Sequence, residues 1–129
     1  MNSVGNVGLE KTLFEYFLGI LGQIKIYHWT TMNYAIHKAL DELHEKLSDD
    51  IDNIIEIYIG KFNKQPIKNF DIQMSANTNA MNVLDFLDNE RENIKAMREK
   101  YFKKCSDIQN IIDNMLGSIN RAIYLCNLK

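Results

Sequence analysis

The residues most suited to chemistry lie within residues 27–60, which contain all three histidines of the chain and many of its carboxylates. His37 precedes Asp41 by four positions, and Asp52 precedes Glu56 by four positions. Residues four apart stack on one face of an α-helix, so each pair would present two side chains side by side. Imidazole nitrogens and carboxylate oxygens are ligands that divalent transition metals take in proteins. The spacing therefore indicates two candidate metal half-sites on one helix.

The two half-sites face the same side of the helix but lie far apart along it. The step from Asp41 to Asp52 returns to within about 20° of the same face and climbs roughly 16 Å along the axis. One ion cannot bind both pairs of one helix. If two copies of the helix packed antiparallel about a two-fold axis, the His37 end of one copy would meet the Asp52 end of the other, giving two identical sites. The sequence thus predicts an inter-subunit metal site, with the axis near Lys46 and Leu47.

Each pair also has a simpler interpretation. His37 and Asp41 match an ordinary side-chain pair on the surface of a helix, which contributes little to stability. Asp52 and Glu56 repel each other at this spacing, and a cation, a basic neighbour or open solvent would relieve that repulsion. The metal site is therefore a hypothesis that the structure must test.

The other polar and aromatic residues of the stretch have more ordinary interpretations. His28 lies at the end of the first predicted helix, and taken alone it is more typical of a helix-end histidine than of a ligand. His44 lies between the two half-sites and is predicted to be an interface residue rather than a ligand. Tyr27 and Trp29 are predicted to lie in the core. The solvated face of the second helix is predicted to contain Glu42, Glu45, Asp49 and Asp50.

Hydrophobic residues recur at intervals of three and four along the chain, which predicts an all-α protein. The helices are predicted at about 9–29, 34–62, 77–102 and 107–127, and Asn33 is predicted to cap the second helix. The inward seam of the second helix is predicted to be Ile36, Leu40, Leu43, Leu47, Ile51, Ile54 and Tyr58.

Residues 60–75 form the one long irregular stretch and contain the only proline of the chain. A connection of this length in a compact domain needs a purpose, and a crossover along a four-helix bundle is such a purpose. The third and fourth helices have a short connection and should be antiparallel neighbours. The predicted fold is a ferritin-like antiparallel four-helix bundle with a long crossover between helices 2 and 3.

Length and charge restrict the function further. The 129 residues fit a single domain spanning 1–129. The net charge of −2 offers no basic excess to neutralise phosphates, so nucleic-acid binding is not supported. Charged residues interrupt the most apolar stretch, residues 13–29, and residues 1–11 lack the pattern of a signal peptide. Cys105 and Cys126 make no disulfide framework and are expected to be reduced, so we expect a cytoplasmic protein.

At these residues the chain resembles the Dps family of mini-ferritins. The family has a His-Trp pair near the end of its first helix, and His28-Trp29 of this chain resembles that pair. Its second helix has a His, then an Asp four residues later, an Asp fifteen later and a Glu nineteen later. The matching residues of this chain are His37, Asp41, Asp52 and Glu56.

The resemblance implies a ferroxidase centre formed by His28, His37 and Asp41 of one subunit with Asp52 and Glu56 of its partner. It implies iron as the bound metal, oxidation of ferrous iron by peroxide or dioxygen, storage of the ferric product and protection from oxidative damage. It also implies a homo-oligomer, with twelve subunits in a hollow shell.

A second function, from a different class, stays open at this point. The chain would then be a ferritin-like structural or interaction protein, a dimer or a shell, without ferroxidase activity. Other chemistries find little support, because the sequence has no Glu-x-x-His motif, Gly-rich phosphate loop, cysteine cluster for zinc or nucleophile elbow.

Overall fold

The described part of the chain in this computed structural model is entirely helical wherever it is regular. The structure describes residues 7–63, 69, 71–74 and 80–128, with side chains for 13–63, 69, 71–74 and 82–128. No strand occurs in these ranges, which confirms the predicted all-α class for them. The helices are α1 (Val7–Thr30), α2 (Tyr34–Phe62), α3 (Ala80–Tyr101) and α4 (Ser106–Cys126).

The helix α2 begins and ends at the predicted residues because both ends have local signals. The side chain of Asn33 accepts a hydrogen bond from the backbone N–H of Ile36 at 3.0 Å, which satisfies one of the free amides of the first turn. At the other end Asn63 has φ 53°, a left-handed conformation that stops a helix. The helices α1 and α4 agree with the prediction to within two residues at each end, and α3 ends within one residue of its predicted end. The predicted start of the third helix at residue 77 lies outside the described residues.

Polar contacts between helices fix the direction of α4 relative to α2. Lys61 Nζ, near the end of α2, lies 3.0 Å from Asp107 Oδ1 at the start of α4. Arg121 Nε, near the end of α4, donates to Glu42 Oε1 at 2.9 Å. The two helices are therefore antiparallel.

The helix α4 also runs antiparallel to α3, as the short connection predicted. Arg98 Nε, late in α3, donates to Asp113 Oδ1 at 2.7 Å early in α4. Arg91 Nη1, earlier in α3, donates to Asn120 Oδ1 at 3.1 Å, later in α4.

The helices α1 and α3 also contact each other. The hydroxyl of Tyr16 donates to Glu90 Oε1 at 2.5 Å, and the rings of Tyr27 and Phe86 meet edge to face at 5.3 Å. Tyr16 precedes Tyr27 in α1, whereas Glu90 follows Phe86 in α3, so the two helices are antiparallel. The helices α1 and α4 thus run one way and α2 and α3 the other, in a four-helix bundle.

The predicted seam of α2 lies in the core. All seven residues of that seam are buried, together with Ala39. At about 25 cal/mol per Å² of apolar surface, burying such a row of large aliphatic side chains is the dominant stabilisation of a helix. The hydrophobic period therefore decides which side of α2 remains on the outside.

Trp29 does not lie in the core, so that part of the prediction is wrong. Tyr27 is buried as predicted, but the Trp29 side chain is 68% exposed. Trp29 follows Tyr27 by two residues, and two residues of a helix rotate by about 200°. The Trp29 side chain therefore points away from the core that Tyr27 faces.

Residues 64–68, 70 and 75 of the predicted long connection lie outside the described residues. Residues 60–62 belong to α2, and residues 71–74 lie along α1. The backbone N–H of Asp71 donates to Glu15 Oε2 at 2.8 Å, and a Cβ on Gly22 would lie only 3.2 Å from the Met74 sulfur. The absence of a side chain at Gly22 thus lets Met74 pack against α1.

The cysteines are buried and unpaired, as expected. Burial raises the pKa of the Cys126 thiol to about 11, so it stays protonated at neutral pH. Among the helices of the described residues, none combines the length and the apolar character needed to cross a lipid bilayer.

The two-fold axis stays a prediction, and Lys46 and Leu47 mark its predicted height along α2. The Leu47 side chain is completely buried within its own bundle, and Lys46 pairs with Glu42 of the same chain at 2.9 Å. Neither side chain lies on the side of α2 that contains His37. His44 and Ser48 lie on either side of that height, and both are half-buried.

Replacing Leu47 with alanine should lower the free energy of unfolding by about 2–5 kcal/mol, because it opens a cavity in a fully packed core. Chemical denaturation measures the change. Lys46→Ala is the matched control and should cost less than about 1 kcal/mol, since it removes an exposed ion pair. Equal losses for the two variants would contradict the core position of Leu47.

Candidate functional site

Two of the three histidines meet where α1 and α2 join. His28 lies in the last turn of α1 and His37 in the first turn of α2. Their imidazole rings stack with centroids 4.0 Å apart and planes inclined by 15°. The Asn33 cap holds the start of α2 in place between them.

The two histidines exchange hydrogen bonds. Nδ1 of His28 donates to the backbone carbonyl of His37, and Nδ1 of His37 donates to the backbone carbonyl of His28, each at 2.8 Å. A carbonyl oxygen only accepts, so each Nδ1 must hold a proton. The His28 carbonyl belongs to the last turn of α1, where carbonyls have no partner within the helix, so His37 also caps α1. We call this pair of side chains the histidine clasp.

The clasp has a chemical consequence at the other ring nitrogens. With the proton on Nδ1, the neutral form of each ring has a lone pair on Nε2. His28 is only 9% exposed, and its Nε2 lies 3.9 Å from Asp41 Oδ1. That distance is too long for a hydrogen bond, but two ligands each about 2.1 Å from one ion are at most about 4.2 Å apart. His28 Nε2 and Asp41 are therefore close enough to share one ion.

His44 lies near the same end of the bundle. Burial lowers its pKa, and the charges of Lys25 and His28 lower it further, while Asp41 acts in the opposite direction. The surroundings of His44 therefore disfavour its charged form. The end of the α1–α2 face that contains the clasp combines three histidines with Lys25.

Asp52 and Glu56 lie apart from this cluster, as the helical spacing predicted. Both are exposed, and both border a groove of about 270 Å³ between α1 and α2. Within the described residues, no group of three or more His, Cys, Asp and Glu side chains is arranged to hold a metal ion. One chain therefore brings His28 close to His37 and to Asp41 without forming a three-ligand site, and it leaves the acidic pair at a distance.

The walls of that groove are otherwise apolar, and the sequence analysis did not predict this groove. The groove is lined by Phe14, Phe17, Leu18, Leu21, Ile51 and Ile55.

The other carboxylates predicted for the solvated face of α2 differ in their surroundings. Glu45 and Asp49 are exposed, as predicted, whereas Asp50 is half-buried, and burial and the charge of Asp49 raise the pKa of its carboxyl. Glu42 instead binds Lys46 and Arg121, and these hydrogen bonds lower the pKa of its carboxyl. Its role is to join α2 to α4.

Nitrogen-detected NMR tests the histidine clasp. In their neutral forms His28 and His37 should both be in the Nδ1–H tautomer, because each Nδ1 donates to a carbonyl. His37→Ala removes only the hydrogen bond to the His28 carbonyl, so His28, whose acceptor is the backbone carbonyl of residue 37, should keep its Nδ1–H tautomer. Finding Nε2–H on either ring of the unmodified chain would contradict the reciprocal hydrogen bonds.

Comparison with known proteins places the chain in a different family from the one that its residues resemble. Residues 28–126 match the model of a family described as "Family of unknown function (DUF5856)". The chain is 26% identical over 119 residues to an "Uncharacterized 14.6 kDa protein in mobD-ri intergenic region" of Enterobacteria phage T4, covering 89% of this chain and 88% of the phage protein. No solved structure matches.

These matches overturn the resemblance to the Dps family, since the family model that covers most of the chain is not a mini-ferritin. The reason lies in the motif itself. Four residues of α2 spaced at multiples of about one turn show only which face of the helix is polar, and many long amphipathic helices have such a face. The chain belongs to the family of unknown function DUF5856.

Proposed function

We propose that two copies of this chain pair through the outer face of α1 and α2 and bind a divalent transition metal ion at two symmetric sites. One chain contributes His28, His37 and Asp41, and the partner contributes Asp52 and Glu56. The substrate is ferrous iron, which the dimer oxidises to ferric iron. The observation that supports this most directly is the reciprocal pairing of the two Nδ1 atoms.

Histidines that bind metals almost always donate their other ring N–H to a carbonyl or carboxylate, which fixes the tautomer and orients the ring. Both rings of the clasp have that arrangement before any metal is present. A ring on the surface without such a partner would rotate and exchange tautomers. The clasp therefore supports a prepared ligand pair rather than two unrelated histidines.

The partner chain is needed because one chain supplies too few ligands at one place. Among the described residues of one chain, no three His, Cys, Asp or Glu side chains are arranged to hold an ion without further ligands. Asp52 and Glu56 are exposed, and none of the ion pairs between described residues uses either carboxylate. Antiparallel pairing of α2 would bring these carboxylates to the clasp of the other copy.

Iron is the substrate that suits this ligand set. Ferrous iron accepts mixed imidazole and carboxylate ligands and keeps open positions for an oxidant. Peroxide or dioxygen would take the electrons, and the acidic residues of the partner would stabilise the higher charge of the ferric product. Assembly of twelve chains into a shell stays a prediction, and the mass in solution tests it.

The finer form of the fold belongs to the same proposal. We propose a crossover along α1 between the ends of α2 and α3. Two observations support it: α2 and α3 run in the same direction, and residues 71–74 lie beside α1. A crossover on that side leaves the outer face of α1 and α2 free for a second copy.

A second candidate function is a structural or interaction protein that binds no metal. The clasp itself favours it, because two histidines that each satisfy a carbonyl already have a structural reason to be there. The clasp would then only close the junction of α1 and α2, and Asp52 and Glu56 would be solvated charges.

Calorimetric titration with Co²⁺ under metal-free conditions separates the two candidates. We expect one ion per chain, and we expect His37→Ala and Asp52→Ala each to weaken binding by more than about tenfold, as even outer partners of metal ligands do. Glu45→Ala, an exposed carboxylate on the same helix, is the matched control and should leave the affinity unchanged. Equal affinities for all four proteins would rule out the metal site.

Because the half-sites belong to different chains, metal should also strengthen the dimer by mass action. Sedimentation with and without Co²⁺ should show a lower dissociation constant for the dimer when metal is present. Asp52→Ala should abolish that effect of metal.

Iron oxidation is tested by anaerobic addition of Fe²⁺ followed by peroxide. The absorbance of ferric product should rise faster with the unmodified chain than with a double variant of His37→Ala and Asp52→Ala. Identical rates for the two proteins would exclude ferroxidase activity, even if metal binds.

A further inference from the structure

The outer face of α1 and α2 has an exposed apolar tip at one end. At the junction of α1 and α2, Trp29 is 68% exposed, Met32 97% and Tyr34 73%. These are large apolar side chains in water, and a cluster of them at one place marks an interaction surface. Trp29 is also the only tryptophan of the chain.

The apolar groove lies toward the other end of the same face. Leu18, one of its wall residues, is 48% exposed. Along α1, Phe14, Leu18, Leu21, Lys25 and Trp29 follow one another at intervals of four, three, four and four. Residues at these intervals share one stripe of a helix, so the groove, Lys25 and the tip belong to one surface.

We infer that this surface is a self-recognition surface, in which the partner's Trp29 covers the Ile55 end of the groove and Leu18 meets its own copy at the two-fold axis. The inference deepens the proposed function and rests on its dimer. It names contacts that need no metal.

The heights of the residues along the helices lead to this arrangement. The stacked rings put His28 level with His37, and the two helices then run in opposite directions at about 1.5 Å per residue. Leu18, ten residues before His28, is therefore level with Leu47, and this height is midway between His37 and Glu56.

A two-fold axis that brings His37 to the partner's Glu56 passes through that midpoint. It places the Leu18 side chains of the two copies against each other. Trp29, one residue beyond His28, then lies about 1.5 Å beyond the level of the partner's Glu56, within reach of Ile55.

Charge selects the antiparallel arrangement. Lys25 and Lys38 lie at the clasp end, and Asp52 and Glu56 border the groove at the other end. None of the ion pairs between described residues uses these four side chains. Antiparallel copies bring the lysines to the carboxylates, whereas parallel copies would place like charges together.

Fluorescence of Trp29 gives a direct test, performed with EDTA so that no metal contributes. As the protein concentration rises through the dissociation constant of the dimer, the emission should move to shorter wavelength, because the exposed indole becomes covered. Sedimentation of the same samples reports the mass. A doubled mass with the emission of a solvated indole would overturn the inference, and so would a monomer at all concentrations.

Charge substitution at the axis tests the register. Leu18→Glu and Leu18→Lys should each weaken the homodimer by about tenfold or more, because each puts two like charges together in a buried contact. A mixture of the two variants should form a heterodimer, since Glu then meets Lys. Tyr124→Ala, which removes an exposed aromatic ring from α4, should change nothing.

A mixture that associates no better than either variant alone would show that Leu18 is not at the axis. Circular dichroism of each variant excludes unfolding as the cause. If the dimer has these properties but binds no Co²⁺, the metal site fails and this inference stands. If Co²⁺ binds at one ion per chain and the Leu18 variants have no effect, this inference fails and the metal site stands.

Discussion

The histidine clasp is the interaction on which the rest of the candidate site depends. Two hydrogen bonds of 2.8 Å join the last turn of α1 to the first turn of α2. They fix the heights of the two helices relative to each other and the tautomers of both rings. Each Nδ1–H donates to the backbone carbonyl of the other residue. Rotating either ring would therefore leave its Nδ1–H without this acceptor. The direction of both Nε2 atoms follows from this arrangement.

The hydrophobic core decides what the outer face of α2 can present. Leu47 and the other seam residues occupy the inward side completely. The polar residues of α2 then divide between two outer sides, because α4 lies on one and α1 on the other. Glu42 and Lys46 lie on the α4 side and bind residues of this chain. His37 and Asp41 lie on the α1 side, where His28 meets them.

The outer face of α1 and α2 is unusual for a surface that only faces water. It combines an apolar groove, an exposed indole and carboxylates that do not pair with described residues. A second copy accounts for all three features with one two-fold axis, because the groove and the tip lie at opposite ends. The family match says nothing about such a partner, since the matched family and the phage T4 relative are both uncharacterised. The proposal therefore depends on the geometry of this chain.

The sequence by itself determined the helices, the cap at Asn33 and the buried side of α2, because helical periodicity and capping act locally along the chain. It also determined that His37 and Asp41 are neighbours and that Asp52 is far from both. It did not determine the family, since the same spacing occurs on unrelated amphipathic helices. Only the tertiary structure decided that His28 stacks on His37 and that Trp29 is exposed. These facts depend on how α1 and α2 meet across a turn, and no periodicity within one helix carries that information.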